Sequence, residues 1–408
     1  MADDGLVIVG ASLAGAKAAE GARKQGWDGP IRLVGAEPHL PYERPPLSKK
    51  VLVGSDGPTS ALVHDDAFEV TSEVDLLLGA PAVGLDLAAR RVELAGGRRL
   101  RFAKLVLAMG SSPRRLPVTG AALPEVLTLR TVDDCLALRD RLIPGHRLVV
   151  VGASWIGTEV AACARQRGSD VVMVDPLSTP LERVLGPEVG GFFADLHAMH
   201  GVEVRLGIGV EAIEGSEHVS GVRLSDGGVA PADTVLVGVG VTPNVELARD
   251  AGLDVASGVL VDATLTASHP DVLAAGDIAE AHHPVIDRPI RVEHWANALN
   301  QGMTAGANAA GAGHAYDRIP YFFSDQYDMG MEYSGWPLPW DQVAFRGDPS
   351  SGAFVAFYLD HGMVTGGVNV NVWDVNEHVQ NLMLTGKPAD LDILTDPDVD
   401  LAAWTPAA

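Results

Sequence analysis

Val7-Ile-Val-Gly-Ala-Ser-Leu-Ala-Gly15 and Val149-Val-Val-Gly-Ala-Ser-Trp-Ile-Gly157 are one phrase written twice, at an offset of 142 residues. Each begins with a β-branched run suited to a buried strand, turns on glycine, and continues into an alanine-rich segment suited to a helix, over 17–25 in the first copy and 158–167 in the second. A second apolar strand follows each helix, at 31–34 and at 171–174. Strands alternating with helices in this way build parallel, doubly wound sheets. The expected fold class is α/β, with two Rossmann-like nucleotide-binding domains.

The turns carry the chemistry. In Gly10-Ala-Ser12-Leu13-Ala14-Gly15 and Gly152-Ala-Ser154-Trp155-Ile156-Gly157 the first glycine makes a tight turn and the last lets helix and strand pack closely. Serine replaces the middle glycine in both copies; it is small, and its hydroxyl can donate to a phosphate oxygen. A pyrophosphate is expected at each helix N-terminus, where N–H groups and the helix dipole favour an anion. About 20 residues on, an acid normally holds ribose hydroxyls. Asp175 stands there in the second copy and would repel a 2′-phosphate, which favours NADH over NADPH. In the first copy the nearest acid is Glu37. Three further strand-to-glycine segments, 104–110 with Ala108 and Gly110, 234–240 with Gly240, and 272–277 with Gly276 and Asp277, extend the two domains. The proline-rich 112–117 reads as a linker.

The 408 residues predict two or three domains, and a net charge of −23 argues against binding nucleic acid through its phosphates. Two cysteines, Cys135 and Cys163, suffice neither for a disulfide framework nor for a four-ligand metal site, and suggest a reducing compartment. The first residues show no signal-peptide pattern, and no apolar run reaches the ~18 residues of a membrane span. A soluble, cytoplasmic protein is expected. From Ile319 onward 13 acids face only Arg346 and Lys387, whereas Arg90, Arg91, Arg98, Arg99, Arg101, Lys104, Arg114 and Arg115 face only Glu93. The tail from about Tyr321 reads as strand-rich, with a helix over 375–385 and an exposed acidic end over 390–400.

Four segments in fixed order, Arg44-Pro-Pro-Leu-Ser-Lys49, 152–159, Ala275-Gly-Asp277 and Glu293-His-Trp295-Ala-Asn297, resemble the FAD-dependent ferredoxin reductases that serve cytochrome P450s and Rieske-type oxygenases. Apoptosis-inducing factor is a more distant relative. The resemblance implies an FAD-binding domain in two parts, 1–112 and 242–318, an inserted NAD-binding domain, 113–241, and a C-terminal α+β interface domain, 319–408. It implies FAD contacts from Ala14, Arg44, Lys49, Val83, Arg130, Asp277, Glu293 and Trp295, with Asp277 on the ribityl chain and Trp295 against the flavin ring. The family's usual acid after the second strand is Ala36 here, leaving Glu37 as the substitute. Lys49 and Glu159 are implied to meet beside the flavin and the nicotinamide, and with Trp295 form the implied catalytic set. The implied reaction takes a hydride from NADH and passes single electrons to a [2Fe-2S] ferredoxin.

Disulfide reductases with the same nucleotide motifs carry a close cysteine pair, which Cys135 and Cys163 do not form, so no thiol relay is expected. No metal is expected: His197 and His200 lack a clear third ligand and read as surface residues, and His282-His283 as loop. The aromatics Tyr321 to Phe323, Trp336 and Trp340 read as core. Because a ferredoxin is usually acidic, a chain at −23 needs a local basic face, for which Arg288 and Arg291 come first and the 90–115 stretch second. A quinone, rubredoxin or oxygen as acceptor, or a redox-responsive binding role, are the alternatives. A monomer or weak homodimer fits the family.

Overall fold

In the computed structural model, which describes residues 4–64 and 72–401, both repeated phrases fold as strand, turn and helix. The first comprises Gly5–Val9 and Leu13–Lys24, the second Arg147–Val151 and Trp155–Gln166. Gly5–Val9 is buried throughout, as a strand covered on both faces must be. Its helix hides Ala16, Ala18, Ala19 and Ala22, while Arg23 and Lys24 stand in the last turn, where the dipole favours cations.

The chain divides into two compact units: Met1–Arg44, Thr59–Ser112 and Thr242–Pro320 form one, and Pro45–Pro58, Pro113–Val241 and Tyr321–Ala408 the other. In the first, Val74–Leu77, Ile31–Val34, Gly5–Val9 and Arg99–Leu107 lie side by side in parallel, and Val272–Ala274 pairs in parallel with the end of Arg99–Leu107. The start of that long strand instead joins an antiparallel meander with Arg91–Leu94 and Ala82–Asp86. The helix Trp295–Ala309 packs on Leu13–Lys24 through small residues.

In the second unit the parallel order is Glu203–Leu206, Asp170–Asp175, Arg147–Val151, Thr234–Val237, Val126–Leu127. The tail builds a five-stranded antiparallel sheet, from Tyr321–Gln326 through Met329–Gly335, Met363–Val370 and Ala353–Asp360 to Gln342–Asp348. Leu185, Val189 and Phe193 of the helix Glu182–Met199 pack into Met331, Tyr333, Phe354 and Val368 of that sheet. Phe322 and Trp336 are buried and Trp340 packs partly buried, so these aromatics are core.

Two local expectations are corrected, for His197 and for His282-His283, and two are refined. His282 and His283 lie on the strand Ala279–His283, whose antiparallel partner is Arg288–Arg291. His197 is fully buried, because Tyr327 and Gln326 bind its two ring nitrogens at 3.1 and 2.9 Å; His200 stacks on Tyr327. The 390–400 segment exposes its five acids as expected but is anchored: Leu394 is buried in the helix Leu391–Thr395, and Arg346 donates to the carbonyls of Pro397 and Val399. The 112–117 stretch begins within a short strand, Ser111–Pro113. Among the described residues no helix is long and apolar enough to cross a membrane.

Candidate functional site

Both glycine turns have the same construction. Gly10 (φ +117°) and Gly152 (φ +102°) adopt a backbone that side chains rarely take, and a Cβ there would fall 2.1 Å from the carbonyl oxygen of Ala108 and 2.5 Å from that of Gly238. A Cβ on Gly15 or Gly157 would stand 1.8 or 1.9 Å from the carbonyl oxygen of Gly10 or Gly152. The helix therefore rests directly on the turn, and the first-turn N–H groups at Leu13 and Ala14, and at Trp155 and Ile156, are ones that the helix itself gives no carbonyl partner. A dinucleotide pyrophosphate needs this backbone cradle, and both copies supply it.

The serines differ. Ser154 donates to the Gly238 carbonyl at 2.7 Å and caps Gly157 N–H at 3.4 Å, so its hydroxyl is held by the protein rather than offered to a phosphate. Ser12 reaches the Tyr42 carbonyl only at 3.5 Å. Asp175 accepts the N–H groups of Ala153 (2.7 Å) and Leu177 (2.8 Å), one on each oxygen, and keeps a lone pair on each. Gly240 (φ +97°) accepts the Arg114 N–H at 3.0 Å. Trp155 turns its indole edge-on to Phe322, at 4.5 Å between centroids.

In the first unit Glu37 accepts from Arg44 at 2.9 Å and from the Tyr42 hydroxyl, and Arg44 lies over the Tyr42 ring. Asp277 accepts from the buried Ser111 hydroxyl at 2.6 Å, and Gln301 holds the Gly276 N–H at 2.9 Å. Gly110 (φ +60°) accepts the Asn244 N–H, and Ala108 bonds back to Val9. Glu293 pairs with Arg291, which also donates to the Asp277 carbonyl. Trp295 opens its helix and its indole faces Glu43, whose carboxyl burial pushes up. Burial pulls the neighbouring His294 down to about 4, so it is neutral at pH 7. Val83 is 61% exposed on the strand Ala82–Asp86. Lys49 and Arg130 belong to the second unit; the Arg130 N–H caps onto Asp134.

The structure brings Lys49 and Glu159 together at 2.7 Å, with only 12% and 5% of their side chains exposed. The 110-residue sequence gap is closed because Pro45–Ser48 and Lys50–Val53 pack on the helix Trp155–Gln166. Sequence reasoning missed the rest of this cluster. Ser48 and Ser324 both donate to Glu159, Ser324 at 2.7 Å, and Gln326 bridges Ser324 (3.3 Å) to Thr158 (3.0 Å). The available signal was alternation: Phe322, Ser324 and Gln326 share the buried face of one strand, where two polar residues are out of place unless bonded.

The basic stretch is largely neutralised. Arg90 and Lys104 pair with Asp271, Arg91 with Asp86, Arg99 with Glu93 and Arg101 with Asp4. With Arg291 paired as well, Arg288, exposed on its strand, is the part of the first candidate docking face that remains. Both cysteines are buried, which pushes the thiols up to about 11 at Cys135 and about 12 at Cys163.

Two glycine turns of one construction and a buried Lys–Glu pair are the parts expected of an oxidoreductase that uses two dinucleotides. The chain belongs to the pyridine nucleotide-disulphide oxidoreductase family, whose pattern it matches over residues 4–302, and residues 321–405 match the reductase C-terminal domain. Members of that family bind FAD and NAD(P)H. The chain is 38% identical to the ferredoxin–NAD(+) reductase component of the anthranilate 1,2-dioxygenase system of Burkholderia cepacia, over 99% of this chain and 100% of that one. It superimposes with a TM-score of 0.94 on the ferredoxin reductase for the CYP199A2 system from Rhodopseudomonas palustris, at 36% identity over 98% and 99% of the two chains. The reductase in a covalent putidaredoxin reductase–putidaredoxin complex matches equally well, with a TM-score of 0.94 and 35% identity over 98% of each chain.

Proposed function

We propose that this chain is an NADH-dependent ferredoxin reductase, passing electrons to a [2Fe-2S] ferredoxin that serves a cytochrome P450 or a Rieske-type oxygenase. The observation that carries this reading is the pairing of two complete cradles with the Lys49–Glu159 cluster, in a chain whose full-length relatives are named for ferredoxin. FAD is assigned to the 1–112 and 242–318 segments, the pyridine nucleotide to 113–241, and an interface role to 319–408. A monomer or weak homodimer is the proposed state.

When bound, the flavin takes two electrons from the nicotinamide and releases them singly. The protein binds and orients. Asp277, fixed by Ser111, would hold the ribityl chain; Trp295 would cover the flavin ring; Arg44 and Glu37 would hold the adenosine end, in place of the acid missing at Ala36. Lys49 carries a positive charge that favours electron density arriving on the flavin, and Glu159 keeps that ammonium buried.

The preference for NADH rests on two carboxylates. Asp175 accepts ribose hydroxyls and repels a phosphate. Seven residues on, Glu182 accepts the Ser178 and Thr179 N–H groups at 2.9 Å and the Ser178 hydroxyl at 2.6 Å; these bonds hold its carboxyl below the usual range. Donors that could have held a 2′-phosphate are thus already filled by the chain's own anion. The test is cytochrome c reduction driven by NADH or NADPH, with and without added [2Fe-2S] ferredoxin. Ferredoxin-dependent turnover favouring NADH is expected; equal rates without ferredoxin would overturn the proposed acceptor.

A further inference from the structure

We infer that Ser324, on the first strand of the C-terminal sheet, is a positioning residue for Glu159, so that this sheet sets the orientation of the nicotinamide-side carboxylate as well as forming an interface. The inference rests on the proposed reading of Lys49 and Glu159. Its independent ground is a chain of buried contacts. Glu159 is 5% exposed and takes three donors: the Lys49 ammonium and the Ser324 hydroxyl on one oxygen, both at 2.7 Å, and the Ser48 hydroxyl on the other. With a donor on each oxygen and two on one of them, the carboxylate is fixed in a single orientation, and removing a donor frees it to turn.

Ser324 is itself fixed. It is fully buried, and the Gln326 amide donates to its oxygen at 3.3 Å. That amide also donates to Thr158, the residue preceding Glu159, at 3.0 Å, and its carbonyl oxygen meets His197 at 2.9 Å. Burial pulls His197 down to about 4, so the ring is neutral at pH 7. Phe323 of the same strand lies under the Lys49 ammonium, 5.7 Å from the ring centroid. One short strand thus touches both members of the pair.

Other groups also face Glu159. Cys163, one turn further along its helix, is held protonated by burial. Asp325 is exposed on the same strand but close enough to Lys49 and Glu159 to interact with both, and desolvation pushes its carboxyl up. The distinguishing feature of Ser324 is its direct bond to the carboxylate.

The experiment uses purified holoenzyme and two readouts: flavin reduction by NADH in stopped flow, and calorimetric binding of NAD+ to the oxidised protein. Glu159→Gln should change both by tenfold or more, and no change in either would refute the underlying reading of Glu159. Ser324→Ala, which loses one charge-assisted bond, should shift both in the same direction as Glu159→Gln by about tenfold, and Ser324→Thr, which keeps the hydroxyl, should restore them. Asp325→Asn should leave both unchanged. Should Ser324→Ala lower only the melting temperature while both readouts stay fixed, the inference is wrong, and Ser324 is ordinary core. Gln326→Leu, which removes the amide that fixes the Ser324 oxygen, should give a smaller shift in the same direction.

Discussion

Placing a single methyl group at the third glycine of each turn separates the two nucleotide sites. A Cβ at Gly157 would lie 1.9 Å from the Gly152 carbonyl oxygen, and one at Gly15 would lie 1.8 Å from that of Gly10. A carbon–oxygen contact needs about 3.3 Å, so in each case helix and turn must part by roughly 1.4 Å. Overpacking of this kind costs about 1–3 kcal/mol, which a domain of this size can survive, and the displacement falls on the donors of the cradle itself. A misplacement of about 1 Å is worth up to ~100-fold in rate. Gly157→Ala should therefore purify with its full complement of flavin, while the KM for NADH rises tenfold to 100-fold. Gly15→Ala should lose flavin on purification, recovering activity only with excess FAD. The assays are flavin absorbance per chain and steady-state ferricyanide reduction, with melting curves to confirm folding. If Gly157→Ala loses flavin and Gly15→Ala retains it, the order of the two cofactors along the chain is wrong; if neither variant differs from the parent, the cradles are not nucleotide sites.

Three further outcomes are expected. Asp175→Asn removes the charge that repels a 2′-phosphate but keeps an acceptor oxygen, and combined with Glu182→Gln it should raise the NADPH-to-NADH ratio of kcat/KM at least tenfold, about 1.4 kcal/mol; an unchanged ratio would mean that specificity lies elsewhere. Iodoacetamide at pH 8 should leave both thiols unmodified in the folded protein and modify both in denaturant, since burial lifts them to about 11 and about 12; rapid native modification with loss of activity would reopen a thiol relay. His197 titrates near 6.5 when unfolded and about 4 when folded, so the unfolded chain binds more protons between those values. Stability should accordingly fall as pH drops from about 6.5 to 4, by up to ~3 kcal/mol, and His197→Gln should flatten the fall in a pH series of melting curves.

What could be read from the sequence divides along physical lines. Strand, turn and helix in both copies were legible because local periodicity and glycine chemistry specify them. The Lys49–Glu159 contact was reached through family resemblance, since no local pattern links residues so far apart. Ser324 and Gln326 were invisible for another reason: serine and glutamine in a strand announce nothing until their partners are known, and those partners lie on a helix more than 150 residues earlier. The same holds for charge. Eight basic residues over 90–115 read as a face, yet Arg90, Arg91, Arg101 and Lys104 meet acids outside that stretch, Asp271, Asp86 and Asp4, and Arg99 meets Glu93 within it.

That cancellation bears on how such an acidic chain could meet an acidic partner. Ion pairs formed within the chain use up local positive potential, and Arg291 is oriented toward Glu293 and the Asp277 carbonyl. The residual attraction available at Arg288 is a single exposed charge, which at physiological ionic strength acts over about 8 Å. Long-range steering by this face is therefore weak, and association must draw on short-range contact. It follows that a ferredoxin's rate of association should depend only slightly on salt, and that Arg288→Glu should raise its KM by a few-fold rather than by orders of magnitude. Steep salt dependence would show instead that a different basic surface does the docking.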